Sequence, residues 1–178
     1  MILVLKLLTL SLMSLLIFSG CSRSQIATKD TMPDKSYSKK VTLFALENYT
    51  DTPQAGMRAA NIVEGVLRAR GYEVESKINI SLRKSTLRKK IADAKKEESD
   101  YLFIGGVSEW RYKTGIDGEP AVSLQFQLIN VSTQKIVWSA TGSDSSWGNA
   151  SIGTTAQELI ESMLQVNAVS EKMTAENT

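Results

Sequence analysis

Two facts about residue type limit the chemistry of this chain: it has one cysteine, Cys21, and no histidine. Because histidine is absent, the chain lacks the commonest general base and metal ligand of proteins. One thiol cannot form a disulfide within the chain. Cys21 directly follows an apolar run, residues 2–20, that carries one charge, Lys6, and ends in Ser19-Gly20. Such a run is typical of a secretory signal peptide and is short for a membrane span, which needs about 20 apolar residues.

The residues around the expected cleavage point resemble the lipobox of bacterial lipoproteins, although Leu is usual where this chain has Phe18. The resemblance implies that Cys21 becomes the first residue of the mature chain and carries acyl chains on its sulfur and amine. Each buried methylene contributes about 0.8 kcal/mol, so several chains hold a protein firmly at a bilayer. Ser22 follows instead of an inner-membrane Asp signal, which favours the outer membrane. The alternative is a free cysteine after an ordinary signal peptide.

Carboxylates are the remaining candidates for catalysis. Glu47, Asp51, Asp117 and Glu119 all lie near predicted loops, where a carboxylate-only enzyme could use them. Solvated surface acids are the simpler explanation of them. No GxxxxGK[ST] or GxGxxG sequence is present, so nucleotide binding by those loops is unsupported, and we expect no cofactor and no metal.

Charge is unevenly distributed along the chain. Residues 21–100 contain 16 Lys and Arg against 11 Asp and Glu, whereas residues 101–178 contain 4 against 8. This asymmetry predicts two oppositely charged surfaces, unless the two halves mix in space and cancel. The acidic residues centre on the turns of the second half: Glu109, Asp117, Glu119 and Asp144. Repeated around a ring of subunits, these carboxylates would attract a cationic polymer.

The organisation follows from the same patterns. We expect a signal peptide at 1–20, a lipidated N-terminus and flexible tether at 21–39, one domain at 40–166 and a frayed tail at 167–178. Hydrophobic periodicity predicts the order β-α-β-α-β-β-β-α, an α+β domain with a mostly antiparallel mixed sheet. The predicted strands are 41–48, 72–76, 100–115, 121–131 and 135–142, and the predicted helices are 57–71, 81–100 and 150–165.

Two features of the predicted sheet bear on function. In strand 121–131 apolar residues alternate with Ser123, Gln125 and Gln127, so we expect those three to face water or a neighbouring subunit. Gly105-Gly106 in the preceding strand predicts a bulge or a close approach of backbones.

The three tryptophans differ in their surroundings. Trp138 lies within a predicted strand and is expected in the core. Trp110 shares a strand face with Tyr112 while Arg111 points to the other face, which suits either packing or an aromatic contact surface. Trp147 lies among small polar residues, as expected for an indole at a membrane interface. The alternative for Trp147 is a loop residue folded back onto the domain.

A strongly basic amphipathic helix is predicted around residues 83–96. Its Lys and Arg side chains either attract anionic lipid, at about 1 kcal/mol per charge, or simply solvate the back of the helix. We expect no nucleic-acid partner, because the chain is predicted to be a lipidated periplasmic protein.

Residues 109–157 resemble the PelC family, outer-membrane lipoproteins of the Pel exopolysaccharide secretion system. The resemblance is sharpest in EWRYK, DGEPAV, IVWSA and the SxW sequence before the last helix. The chain departs from it at 130–134, NVSTQ, where relatives often have an Asp-x-x-Thr-Gly turn. More loosely, the predicted topology is similar to that of the CsgG and LpoB lipoproteins.

The resemblance implies a protein without catalysis that forms a dodecameric ring beneath the outer membrane. An aromatic belt would touch lipid, and an electronegative funnel would guide the cationic polymer to an export porin for the biofilm matrix. By position, Trp147 matches the membrane belt, and Arg111 and Trp110 have an implied structural or subunit-contact role. We assign Glu109, Asp117 and Glu119 to the funnel from their turns and the acidic half.

Two other functions remain open. An LpoB-like regulator would bind a peptidoglycan synthase across the periplasm. A tether of fewer than 20 residues reaches at most about 65 Å, which favours work close to the membrane instead. A carboxylate glycosidase is the third interpretation.

Overall fold

A mixed β-sheet runs through the residues that the computed structural model describes, which are 24–30, 32–33, 39–79, 85–114, 118–146 and 150–165. Within these ranges there are seven strands and three helices. The strands are β1 (Gln25–Lys29), β2 (Lys40–Phe44), β3 (Glu47–Asn48), β4 (Glu73–Lys77), β5 (Tyr101–Tyr112), β6 (Pro120–Asn130) and β7 (Ile136–Ser145). The helices are α1 (Ala55–Ala69), α2 (Leu87–Lys96) and α3 (Ile152–Gln165).

The strand order is β1-β7-β6-β5-β2-β4, with the short β3 paired to β5. β5, β6 and β7 form an antiparallel meander, whereas β2 runs parallel to both β4 and β5. The meander follows the period of two in β6, where Leu124 and Phe126 are buried and Gln125 and Gln127 are exposed. The predicted α+β class and the order of the main elements are confirmed, and β1 and β3 are additional strands.

The first strand lies inside the range predicted as a flexible tether. All five residues of Gln25–Lys29 pair antiparallel with residues 139–143 of β7. Four of the five β1 side chains are exposed, whereas Ile26 is partly buried and packs against the core. Backbone hydrogen bonds to the edge of β7 hold this segment, so its hydrophobic pattern carries almost no signal. The prediction of an unstructured tether is therefore wrong for β1.

Helices α1 and α3 cover one face of the sheet and enclose the larger hydrophobic core. Trp138 is 1% exposed and stacks at a tilt against Phe103, with ring centroids 6.2 Å apart, so its predicted core position is confirmed. The Arg70 guanidinium, after the end of α1, donates a hydrogen bond of 2.9 Å to the backbone oxygen of Glu161 on α3. Other core residues include Val41, Leu43, Val63, Leu67, Leu124, Phe126, Leu128, Leu159, Ile160 and Met163.

Helix α2 covers only part of the opposite face. Ile91 and Ala94 pack there against Phe44, Leu102 and Ile129 in a second, smaller cluster. The helix begins after the N-cap Thr86, whose side-chain oxygen accepts from the Lys89 amide. Residues 81–84, the start of the predicted basic helix, lie outside the described residues. No helix in the described ranges is long and apolar enough to span a membrane.

The basic side chains of α2 are not all solvated. Lys90 is 9% exposed, and its ammonium lies 2.9 Å from Glu47 Oε1 and 5.8 Å from the centre of the Phe44 ring. This ion pair joins α2 to β3, so one of the predicted solvent-facing lysines instead fixes the helix on the sheet.

The turn between β6 and β7 forms without a glycine. Gln134 has a φ of 58°, in the left-handed region that glycine prefers. Asn130 supports the turn, because its side-chain oxygen accepts hydrogen bonds from the backbone and hydroxyl of Thr133, at 2.8 and 3.1 Å.

Candidate functional site

Most of the predicted functional residues lie at one end of the sheet, which we call the hairpin end. Here β5 ends at Tyr112, paired with Pro120 at the start of β6, and β7 ends at Ser145, paired with Ala121. Residues 115–117, between β5 and β6, and 147–149, before α3, lie outside the described residues. Asp117 and Trp147 therefore have no described position, and neither does Cys21.

The two described acids of the predicted funnel are both ion-paired at this end. Arg111 donates to Glu109 Oε1 at 2.9 Å, and Lys113 Nζ lies 3.5 Å from Glu119 Oε2. Residues 113 and 119 are also joined through the backbone, by a bond of 2.7 Å from the Lys113 amide to the Glu119 oxygen. The strand ends thus bring each acid to a base, and the four charges cancel locally.

Asp144 does not join the exposed acids with which the sequence grouped it. It is 7% exposed and lies on β7 opposite Val122. The four acids of the sequence pattern therefore do not form one exposed cluster. No group of three or more His, Cys, Asp or Glu residues in the described ranges could hold a metal ion.

Trp110 and Tyr112 have different environments although they share a strand. Trp110 is 3% exposed and belongs to the main core, and its backbone oxygen accepts a bond of 2.5 Å from the Thr52 hydroxyl. Tyr112 is 52% exposed, and its hydroxyl accepts a bond of 3.2 Å from the Ile152 amide at the start of α3. Trp110 therefore packs the core, and Tyr112 joins the hairpin end to α3.

The chain's similarity to known proteins is visible in solved structures. No protein-family model matches the chain, and no curated protein matches it in sequence. PelC from Paraburkholderia phytofirmans, solved as a dodecamer, is 35% identical to this chain with a TM-score of 0.69, and the match covers 80% of this chain and 96% of the PelC chain. The chain belongs to the PelC family. A point variant of the same PelC, also a dodecamer, gives the same values.

Membership of the PelC family confirms the resemblance found in residues 109–157. The fold is shared more widely. Lipoprotein GNA1162 from Neisseria meningitidis is 16% identical with a TM-score of 0.53, over 77% of this chain and 99% of its own. At that identity the likeness shows the fold alone.

A second feature of this PelC-family chain was not predicted as a site. The part of the sheet face that α2 leaves uncovered forms a trough with a volume of about 620 Å³. We call it the sheet trough. Its floor includes Gln125 and Gln127, which the sequence correctly placed on a wet face, and its rim includes Tyr49, which no sequence signal singled out. The trough combines β1, β3, α2 and the meander, so only the folded chain assembles it.

Proposed function

We propose that this chain is a lipid-anchored, non-enzymatic subunit of a homo-oligomeric ring that takes part in exopolysaccharide export beneath the outer membrane. The ring would pass a cationic polymer to an export porin. The observation that carries the proposal is the 35% identity to a PelC dodecamer over 96% of that protein's length. A ring also suits the chemistry, because repetition around one axis multiplies the field of any carboxylate that each subunit presents to the centre.

The ladder between β1 and β7 supports a seat directly at the membrane. Gln25 lies opposite Ser143, and Cys21 precedes Gln25 by four residues while Trp147 follows Ser143 by four. If Cys21 carries the lipid, the three residues 22–24 link it to the sheet, a reach of about 14 Å. This short link replaces the longer tether, up to residue 39, that the sequence predicted. A link of this length does not support an LpoB-like role across the periplasm.

The same geometry bears on Trp147. The chain leaves the sheet toward Cys21 and toward Trp147 at the same hairpin end, and four residues bridge at most about 14 Å. Acyl chains at Cys21 would hold that end against the bilayer. An indole there can bury its ring among the headgroups while its N–H stays hydrated. We propose Trp147 as the membrane contact of each subunit.

The acids of the hairpin end retain a proposed role in guiding the polymer. Glu109 and Glu119 are neutralised by Arg111 and Lys113, but exposed ion pairs contribute only about 0–1 kcal/mol. A polymer ammonium group can therefore replace either base. We propose that Glu109, Asp117 and Glu119 act in this exchange, that Arg111 contacts a neighbouring subunit and that Trp110 is structural.

The test is export in cells that carry Trp147→Ala. We expect normal folding and lipidation, weaker membrane seating and reduced polymer secretion. Ile136→Ala is the matched control, because Ile136 is also a large apolar side chain and is exposed on the opposite end of β7. Cys21→Ser should release the protein from the membrane and abolish export. Unchanged secretion in both Trp147→Ala and Cys21→Ser would contradict the proposal.

A further inference from the structure

We propose that the sheet trough binds a neutral oligosaccharide. This inference concerns a different surface from the hairpin end and does not depend on the export role. The volume of about 620 Å³ falls within the range of about 300–1,000 Å³ that is usual for small-ligand sites. The chemistry of the lining decides which ligand fits.

Tyr49 supplies an aromatic surface at the rim, on a backbone that is anchored to β5. It is 64% exposed, yet its backbone amide donates a bond of 2.9 Å to the Val107 oxygen on β5. Its ring lies over Gly106, where an added Cβ would come within 2.5 Å of the Tyr49 Cε2 atom. An exposed ring held in this way can stack on the apolar face of a sugar, since Tyr offers a large apolar surface with a polar tip.

The floor supplies hydrogen-bonding groups of both kinds. Gln125 and Gln127 point to the open face from alternate positions of β6, and β7 adds Thr141 and Ser139 opposite them. Among the described residues, neither glutamine amide makes a side-chain hydrogen bond, so both offer a donor and an acceptor to a ligand. This set suits the hydroxyl and amide groups of a sugar.

The charges of the trough favour a neutral ligand over a cationic one. Glu47 is the one acid among the described lining residues, and it is paired with Lys90 at 2.9 Å. Lys29 lines the opposite side on β1. The trough therefore has a small positive excess, which opposes ammonium groups, while the amides and the aromatic ring select for neutral sugar units.

The experiment measures binding of defined trisaccharides to the full-length chain in detergent, by isothermal titration calorimetry. The probes are the N-acetylglucosamine trimer, maltotriose as a neutral sugar without amides, and the cationic glucosamine trimer. We expect the N-acetylated trimer to bind best and the cationic trimer worst. Tyr49→Ala and Gln125→Ala should each weaken the binding of the best probe about tenfold, which corresponds to about 1.4 kcal/mol.

Two control variants make the result specific. Gln157→Ala removes an exposed amide from α3, whose bond of 2.9 Å is to Glu161, and should bind as the wild type does. Ile136→Ala removes an exposed large side chain outside the trough and should also be neutral. The folding of every variant is checked by its urea-unfolding midpoint.

Three results would overturn the inference. The first is no binding of either neutral trimer at millimolar concentration. The second is binding that Tyr49→Ala and Gln125→Ala leave unchanged, or that is strongest for the cationic trimer. The third is loss of self-association in Gln125→Arg without any sugar binding by the wild type, which would show that a second copy covers the trough. None of these results bears on the export test with Trp147→Ala.

Discussion

Gln25 lies directly opposite Ser143 in the antiparallel ladder that joins β1 to β7. The ladder leaves three residues, 22–24, between the proposed lipid anchor and the sheet. A longer connection should therefore uncouple the anchor from the hairpin end. We predict that about 15 Gly and Ser residues inserted before Gln25, which add about 20 Å of mean span, leave lipidation and folding intact but reduce export.

The insertion needs a matched control. The same insertion in the tail 167–178 should export polymer as the wild type does. Export is measured as secreted polymer, and membrane seating as the fraction of protein that sediments with outer membranes. Normal secretion by the chain with the lengthened connection would show that the short link is not required.

Gly105 and Gly106 meet different neighbours, which predicts different effects of alanine. At Gly105 an added Cβ would come within 2.3 Å of the Gln125 backbone oxygen, whereas at Gly106 it would meet the exposed Tyr49 ring. A backbone atom cannot move away cheaply, but an exposed ring can rotate. We expect Gly105→Ala to lower the free energy of unfolding by about 1–3 kcal/mol and Gly106→Ala by clearly less. Equal losses in urea denaturation would contradict this interpretation.

The sequence predicted the parts of the fold that local periodicity records. The alternation in β6 correctly predicted an antiparallel strand with Gln125 and Gln127 on its exposed face. The glycine pair in β5 correctly indicated a close approach to the neighbouring β6 backbone. β1 was missed because it joins the sheet through backbone pairing with β7, while most of its side chains stay exposed and give no hydrophobic pattern. Sequence spacing indicated a group of acids, and the period of two puts Arg111 on the same strand face as Glu109. It could not show that Lys113 meets Glu119 across the hairpin.

The sheet trough was missed for a different physical reason. Tyr49 reaches the rim of the trough because β3, which it follows, pairs parallel with β5, a contact between segments far apart in the chain. Two residues of strand, Glu47–Asn48, give no periodic signal of their own. Pairing between distant segments forms only in the assembled sheet. The sequence could therefore suggest individual residues of the trough, but it could not show that they lie next to one another.

Gln134 offers a direct test of the strain in the turn between β6 and β7. A side chain with a φ of 58° is less favourable there than glycine, which adopts this conformation without steric cost. We expect Gln134→Gly to raise the free energy of unfolding by up to about 1 kcal/mol, measured by urea denaturation. Gln157→Ala on the helical surface of α3 should change it much less. A lower stability of Gln134→Gly would mean that the extra conformational freedom that glycine loses on folding costs more free energy than the relief of strain returns.

The ion pair between Lys77 and Glu97 predicts a pH-dependent contribution to stability. Lys77 Nζ lies 2.6 Å from Glu97 Oε1 and 3.1 Å from Glu75. The hydrogen bond from Lys77 lowers the pKa of Glu97 below its ordinary 4.5. The bonds to Glu97 and then Glu75 raise the pKa of Lys77 above its ordinary 10.5. The fold therefore favours the charged form of both groups across the pH range between the two pKa values.

The sign of the effect follows from linkage. A lowered carboxyl pKa gives stability that is present at neutral pH and is lost as the pH falls through the folded value, and a raised lysine pKa gives stability that is lost as the pH rises through its folded value. Glu97→Gln should thus lower the urea midpoint near pH 7, and the difference from the wild type should shrink at acidic pH. Glu158→Gln, on the exposed face of α3, should show no such dependence. A difference that is constant with pH would exclude the ion pair as its cause.

The charges of the hairpin end separate the guiding role of the acids from a purely structural one. Glu109→Gln with Glu119→Gln leaves Arg111 and Lys113 unpaired and changes a neutral set into one of two positive charges per subunit. Because the Arg111–Glu109 pair is largely exposed and the Lys113–Glu119 pair is partly exposed, we expect the free energy of unfolding to change by less than about 1 kcal/mol. Repeated around a ring, the added positive charge should repel a cationic polymer, so secretion should fall and partly recover as salt screens the field. The opposite double variant, Arg111→Gln with Lys113→Gln, should keep polymer attraction, and a loss of self-association in the single variant Arg111→Gln would identify Arg111 as a subunit contact. Normal secretion by the first double variant at low and high salt would assign these two acids to local ion pairing alone and leave Asp117 as the remaining acid of the proposed funnel.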